Sequence, residues 1–481
     1  MFSRASGARL REGNGIRLLK DAAENYPAWL AAIHAARHTI HIEMYIIHED
    51  DQGRLFADAL IEKARAGVRV CLLYDWMGGF RKTSRAFWNR LRAGGVEVRC
   101  YNPPRFESPF GWVSRDHRKM IAVDHTIGFV TGLCIGQAWI GDLARHVEPW
   151  RDTGVEVRGP AVADIESAFA DAWAAVGEPL REDAPPAGPV GGAGDRAPAG
   201  DALDVAMRVV ATVPNTAGVF RVDQLVAALA RRTLWLTDAY YAGTTPYVHA
   251  LCSAAQDGVD VRLLVPGVSD IPALRPLSRA GYRPLLEAGI RVFEWNGSML
   301  HAKTAVADGR WARVGSTNLN LASWLGNREL DVIVEDAPFA ASMEAMYLED
   351  LGHATEIVLD PRNRVRSPAR PRRATIKGSG SGGRAVAGAF RIGSTVSAAV
   401  TNRRVLEPIE GHIALAAGAA LVGLAALAVK FPRGFAYPFA AVTAWLAAAL
   451  VFRGFGLLFE RNRRRRPDAV RSKDRAPRPP S

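Results

Sequence analysis

Cysteine is scarce, with Cys71, Cys100, Cys134 and Cys252 the four residues of its kind in a chain of 481. No C-x-x-C pair occurs, which excludes a disulfide framework and a cysteine-based zinc site and points to a reducing compartment. Lysine is rare beside arginine, 8 against 53. The opening MFSRASGARLREGNGIRLL lacks the apolar core of a signal peptide, so no export is expected and the body is placed in the cytoplasm. Positive charge is also missing where the total suggests it. The net charge is +12, yet residues 361–481 hold 23 basic and 5 acidic side chains (+18), leaving 38 and 44 (−6) in the first 360. A body of that sign is a poor nucleic-acid binder, and the basic tail suits anionic lipid better.

The length allows two or three domains, and an apolar content of 48% suffices for a sizeable core. The stretch APPAGPVGGAGDRAPAGD reads as a linker between two halves that repeat one another. In the first half RHTIHIEMYII leads through FADALIEKA to AGVRVCLLYD. In the second, RRTLWLTDAYY leads through VHALCSAA to DGVDVRLLVPG. Strand, amphipathic helix and strand in that order are a βαβ signature. The expected class is α/β, with two pseudo-symmetric lobes (1–181 and 202–360) about a flexible linker (182–201) and the site at their interface. A basic linker with an expected interfacial helix (361–410) follows. The apolar runs HIALAAGAALVGLAALAV and AYPFAAVTAWLAAALVF predict a two-helix transmembrane hairpin over 411–453, and 454–481 forms a basic tail. Basic flanks place both ends in the cytoplasm, hence a multi-pass inner-membrane protein.

Each half also carries one octet of the form H-x-K-x-x-x-x-D: His117, Lys119, Asp124 and His301, Lys303, Asp308. With so few lysines, two such octets have roughly one chance in ten thousand of arising by composition. Strand alternation puts His and Lys of each octet on one face. A neutral imidazole can attack a phosphodiester without a metal, a second imidazole can protonate the leaving alcohol, and two lysines can neutralise the phosphoryl oxygens. No cofactor and no metal ligand set is expected; His38, His41, His48 and His125 lack a supporting carboxylate spacing.

The paired octets resemble the signature of the phospholipase D superfamily, and the resemblance covers about residues 14–360. It implies the six octet residues as catalytic, with His117 as nucleophile and His301 as general acid; the pseudo-symmetry leaves the reverse assignment open. GSTNLNLASWLGNREL resembles the family's G-S-x-N element and N-x-E. That implies Asn318 as a phosphate donor and Glu329 as the residue orienting an imidazole, with Ser316 and Ser323 as weaker candidates. In the first half TGLCIGQAW puts Cys134 where Asn is usual, which casts doubt on phosphate binding there. WRDTGVEVRGPAV resembles a synthase-type segment, and Asp152 is the candidate for orienting the opposite histidine. Glu43 and Tyr45, and Asp238 and Tyr240, either face substrate or are satisfied strand residues. The branch most resembled is the bacterial cardiolipin synthases, which implies transfer of a phosphatidyl group through phosphohistidine to a second phospholipid. Phosphatidylglycerol is the expected substrate, phosphatidylethanolamine a second candidate, and an anionic membrane the partner. Hydrolysis, a superfamily nuclease and an inactive adaptor remain as alternatives.

Overall fold

The computed structural model describes residues 1–104, 114–181, 204–270, 278–279, 281–359, 365–366, 419 and 422–464. Two units partition the chain, one of residues 1–103 and 113–411 and one of 104–112 and 412–481.

The first unit holds both repeats. Its first copy runs β1 (Arg11–Lys20), β2 (Thr39–Met44), β3 (Arg69–Asp75), β4 (Glu97–Tyr101), β5 (Lys119–Val123), β6 (Ile127–Thr131) and β7 (Thr153–Arg158). The second runs β8 (Val205–Thr212), β9 (Thr233–Thr237), β10 (Asp260–Pro266), β11 (Arg291–Trp295), β12 (Thr304–Ala307), β13 (Trp311–Gly315) and β14 (Glu329–Glu335). Strand order is β4-β3-β2-β5-β6-β7-β1 in one copy and β11-β10-β9-β12-β13-β14-β8 in the other, and β1 pairs antiparallel with β8 where they meet. The copies therefore stand back to back as two α/β lobes. At the outer edge β15 (Ala354–Leu359) adds to β11.

Local chemistry explains the repeat. The strand TIHIEM is buried at every position because helices cover both faces of its sheet. The helix Asp51–Arg65 starts where the Asp50 carboxylate accepts the Gly53 N–H at 3.0 Å, and the helix Ala337–Gly352 where Asp336 accepts that of Phe339 at 2.8 Å. Gly67 and Gly258, at φ 91° in both copies, turn the chain from helix into β3 and β10, a conformation that a Cβ would strain. One apolar cluster crosses the seam, joining Val155, Phe169 and Trp173 to Val332, Phe339 and Tyr347.

In the second unit the helix Pro432–Arg464 opens with proline at its first position, after a break at Phe431. It runs past the expected end at Phe452, since no proline stands between Pro438 and Pro467 to stop it. Val422, Val429, Tyr437 and Phe439 are exposed. Among the described residues no helix is long and apolar enough to cross a membrane. Half of the first apolar run lies outside the described residues, as do the linker 182–201 and nearly all of 361–410.

Candidate active site

The two motif histidines sit just ahead of β5 and β12, at the seam, and each is held by the other lobe. The His117 N–H donates to the Arg328 carbonyl at 2.9 Å, and the His301 N–H donates to the Arg151 carbonyl at 2.7 Å. Side chains cross in the same way. Nδ1 of His117 lies 2.9 Å from Oε2 of Glu329, and Nδ1 of His301 lies 2.7 Å from Oδ2 of Asp152. All four groups are buried.

Burial decides the protonation states. It pushes His117 down to about 4, against the pull of Glu329 and with the help of Lys119. It pushes His301 down to about 3, with Lys303 adding to the effect and Asp152 opposing it. For the carboxylates burial works upward, but His301 and Lys303 hold Asp152 below its ordinary range, and His117 and Lys119 do the same for Glu329. The consistent state is a neutral imidazole donating from Nδ1 to an ionised carboxylate, which leaves Nε2 with a free lone pair.

Lys119 and Lys303 each donate to the carbonyl of the histidine in their own motif. Their ammonium groups also lie over tyrosine rings, Lys119 5.3 Å from the Tyr45 centroid and Lys303 5.8 Å from that of Tyr240. Each tyrosine in turn meets its histidine edge to face, at 4.9 Å and 5.8 Å. Tyr45 and Tyr240 are thus equivalent although the strand registers differ by one, because the second copy inserts a residue between Thr237 and Tyr240. Burial lowers both lysines, Lys303 to about 8, where Asp152 opposes the shift and Lys119 adds to it.

Ser316 donates to Oε2 of Glu329 at 2.6 Å, and Asn327 donates to Oε1 at 3.2 Å. Asn318 is buried, and its Oδ1 has no hydrogen-bond partner. Ser323 is buried and donates its backbone N–H to Oδ1 of Asn320. Cys134 holds the place equivalent to Asn318, its thiol kept neutral by burial despite Lys119.

Four candidate carboxylates are held by structural partners. Asp124 and Asp308 are not grouped with the imidazoles. They sit beyond the far ends of β5 and β12 in turns with φ 49° and 54°, roughly 15 Å of strand away from their motif lysines. There the Asp124 carboxylate accepts the N–H groups of Arg37, His38 and Thr39, and Asp308 accepts those of Arg231, Arg232 and Thr233. They pin a turn to the start of β2 or β9. Glu43 lies fully buried beside Arg118, and burial with the nearby Asp116 pushes its carboxyl well up, so it belongs to the packing beneath the site. Asp238 likewise caps backbone, accepting from Leu319 and Tyr240, and burial raises it to about 7.

Sequence reasoning passed over the arginines before the two carboxylates. Arg151 makes a two-pronged ion pair with Asp350 at 2.8 Å and reaches Asp21 at 3.1 Å, which fixes the carbonyl that receives His301. Arg328 reaches Asp171 and the Tyr101 hydroxyl. The signal was present in the matched triplets WRD and NRE.

A family model described as "Cardiolipin synthase, PLD-like domain" matches residues 29–137 and 226–351. Cardiolipin synthase A of Pseudomonas aeruginosa is 33% identical over 362 residues, 73% of this chain and 70% of that one. Cardiolipin synthase of Alkalihalophilus pseudofirmus is 31% identical over 348 residues, 71% and 67% of the two chains. Among solved structures, the phosphatidylserine synthase of Haemophilus influenzae superposes with a TM-score of 0.54 at 14% identity, covering 71% of this chain and 87% of that one, a likeness of fold. With the paired octets at a shared seam and relatives of this identity and coverage, the chain belongs to the cardiolipin synthase family of phospholipase D-like proteins.

Proposed function

We propose that this chain is a phosphatidyltransferase of cardiolipin synthase type working by double displacement. The observation that carries the reading is the crossed pair of histidine–carboxylate contacts, each beside a buried lysine.

In this reading Nε2 of His117 attacks the phosphorus of phosphatidylglycerol, while Glu329 holds the proton on Nδ1. The bond from phosphorus to the head-group glycerol breaks, and that oxygen takes a proton from His301. Before substrate binds, His301 is neutral because burial and Lys303 hold its proton affinity down. The anionic phosphodiester offsets both lysines, so His301 takes up its proton as substrate enters. A second phosphatidylglycerol then gives its hydroxyl proton to His301 and attacks the phosphohistidine, which releases cardiolipin and frees His117. Lys119, Lys303 and the amide of Asn318 bear the charge on the phosphoryl oxygens. Phosphatidylethanolamine is a second candidate lipid.

The lobes 1–181 and 202–360 form the catalytic body, and 411–453 attaches it to the inner membrane as a hairpin with both flanks on the cytoplasmic side. The exposed apolar side chains of 422–451 and the basic flanks support this. Removing everything after Asp360 is expected to leave chemistry on detergent-dispersed lipid largely intact and to weaken vesicle binding steeply, since each basic residue near an anionic surface contributes about 1 kcal/mol.

Purified protein in phosphatidylglycerol vesicles, with and without phosphatidylethanolamine, tests the reaction by lipid mass spectrometry. Cardiolipin with released glycerol is the expected product. Phosphatidic acid instead makes the chain a hydrolase, and unchanged lipid makes it an inactive adaptor.

A further inference from the structure

We propose that Trp139 is the positioning residue of the Asp152–His301 pair, its indole N–H standing in for the hydroxyl that Ser316 offers Glu329. The inference rests on His301 being the acid–base partner proposed above.

The residues after β6 and β13 correspond in order, so that Gly132 matches Ser316 and Cys134 matches Asn318. In the second lobe Ser316 donates to Oε2 of Glu329, the oxygen nearer to His117. No side chain fits at Gly132, because a Cβ there would stand 2.1 Å from Oδ1 of Asp152. The donor comes from elsewhere. Nε1 of Trp139 lies 3.2 Å from Oδ2 of Asp152, the same oxygen that meets His301. The backbone N–H of Thr153 holds Oδ1 at 2.9 Å.

The equivalent tryptophan does otherwise. Trp324 follows Asn318 by six places where Trp139 follows Cys134 by five, and the extra residue sits beside a π-helical turn, Ala322–Gly326. That turn sends the Trp324 N–H to Asp223 at 3.1 Å, away from Glu329. A one-residue difference thus decides whether the indole serves a helix or the site. Trp139 is 1% exposed and packs against both Trp150 and the edge of the His301 ring, so its ring cannot swing elsewhere.

An N–H donated to Asp152 does two things. It fixes the rotamer of the carboxylate, and it withdraws charge from the oxygen that faces His301. Without it the Asp152 carboxylate keeps more charge and stabilises the His301 imidazolium through Nδ1–H, so the proton on Nε2 leaves for the alcohol less readily.

The experiment compares kcat, KM and the pH profile of kcat in full-length protein on phosphatidylglycerol vesicles. Two changes are made at position 139: Trp139→Phe, and the sulfur isostere β-(3-benzothienyl)alanine, which keeps the shape and deletes only the N–H. For the isostere kcat is expected to fall about tenfold, the scale of one hydrogen bond to a charged group, with KM within about twofold. The limb of the profile that belongs to His301 moves to higher pH, whereas Ser316→Ala moves the other limb. If Trp139→Phe does not fold, the isostere carries the test. Wild-type kcat with unmoved limbs in the isostere overturns the inference while His301→Ala is still inactive. Should His301→Ala itself keep turnover, the reaction scheme falls first and this inference with it.

Discussion

The half-site around His117 and the half-site around His301 use the same strands, the same reciprocal backbone bonds and the same lysine–tyrosine contacts, yet they are furnished differently. His117 leans on a glutamate with a serine and an asparagine behind it. His301 leans on a shorter aspartate braced by an indole, and the first lobe, which supplies that aspartate, carries a thiol where the second carries an amide. Duplication thus preserved backbone geometry, which many residues jointly determine, and let the hydrogen-bond donors diverge. Symmetry in the fold does not require symmetry in the chemistry, and a reaction that needs one nucleophile and one acid has no use for two identical halves.

The strongest way to break that comparison is to remove each imidazole. His117→Ala and His301→Ala are both expected to lose activity by on the order of a thousandfold or more. Lipid carrying radiolabelled phosphate, followed by rapid denaturation, should trap phosphate on His301→Ala protein and none on His117→Ala. Trapping in the reverse pattern exchanges the two roles; trapping on both makes the halves equivalent.

The amide and the thiol give the next contrast. Asn318→Ala is expected to cost about tenfold in kcat/KM, because a buried donor to phosphate is lost. Cys134→Asn should leave activity equal or higher, since it supplies the amide that the first half lacks. A loss on Cys134→Asn comparable to that of Asn318→Ala would mean that the thiol itself is needed.

Acidity probes the two histidines together. An unfolded imidazole titrates near 6.5, whereas burial holds the folded ones at about 4 and about 3. The unfolded chain therefore takes protons that the folded chain refuses, so stability is full above about 6.5 and declines as pH falls toward 4. Melting temperature measured from pH 7 down to pH 5 should drop, and should drop less in His301→Asn. An equal slope in that variant would place the acid sensitivity elsewhere.

The smallest expected effect is that of chelation. Two buried ammonium groups already face the site, so turnover in excess chelator is expected to match the untreated enzyme. A loss restored by one added divalent ion would assign charge neutralisation to that ion and not to the lysines.

Much of this is legible in the amino-acid sequence alone. The repeat, the two octets and the N-x-E carboxylate stand in the chain at fixed spacing, and strand periodicity is a local property that sequence carries well. What escaped was the end of a strand at which each motif residue works. Alternation groups His117, Lys119 and residues beyond them by face, but it does not say that Asp124 lies a full strand's length away, pinning a turn. Glu43 escaped because a carboxylate in a strand looks the same whether it faces substrate or packs beside an arginine. Trp139 was illegible for another reason: its role depends on a one-residue difference in a helical turn, whose direction only tertiary packing decides.

The exchange of carboxylates across the seam also bears on how the protein comes into being. A ribosome delivers the first lobe while the second is still unmade, and at that moment His117 lacks Glu329 while Asp152 has no histidine to orient. Until the late-made half docks, neither histidine–carboxylate pair is complete, so the reaction proposed above cannot begin. The crossed pairs act in this way as an interlock against premature chemistry.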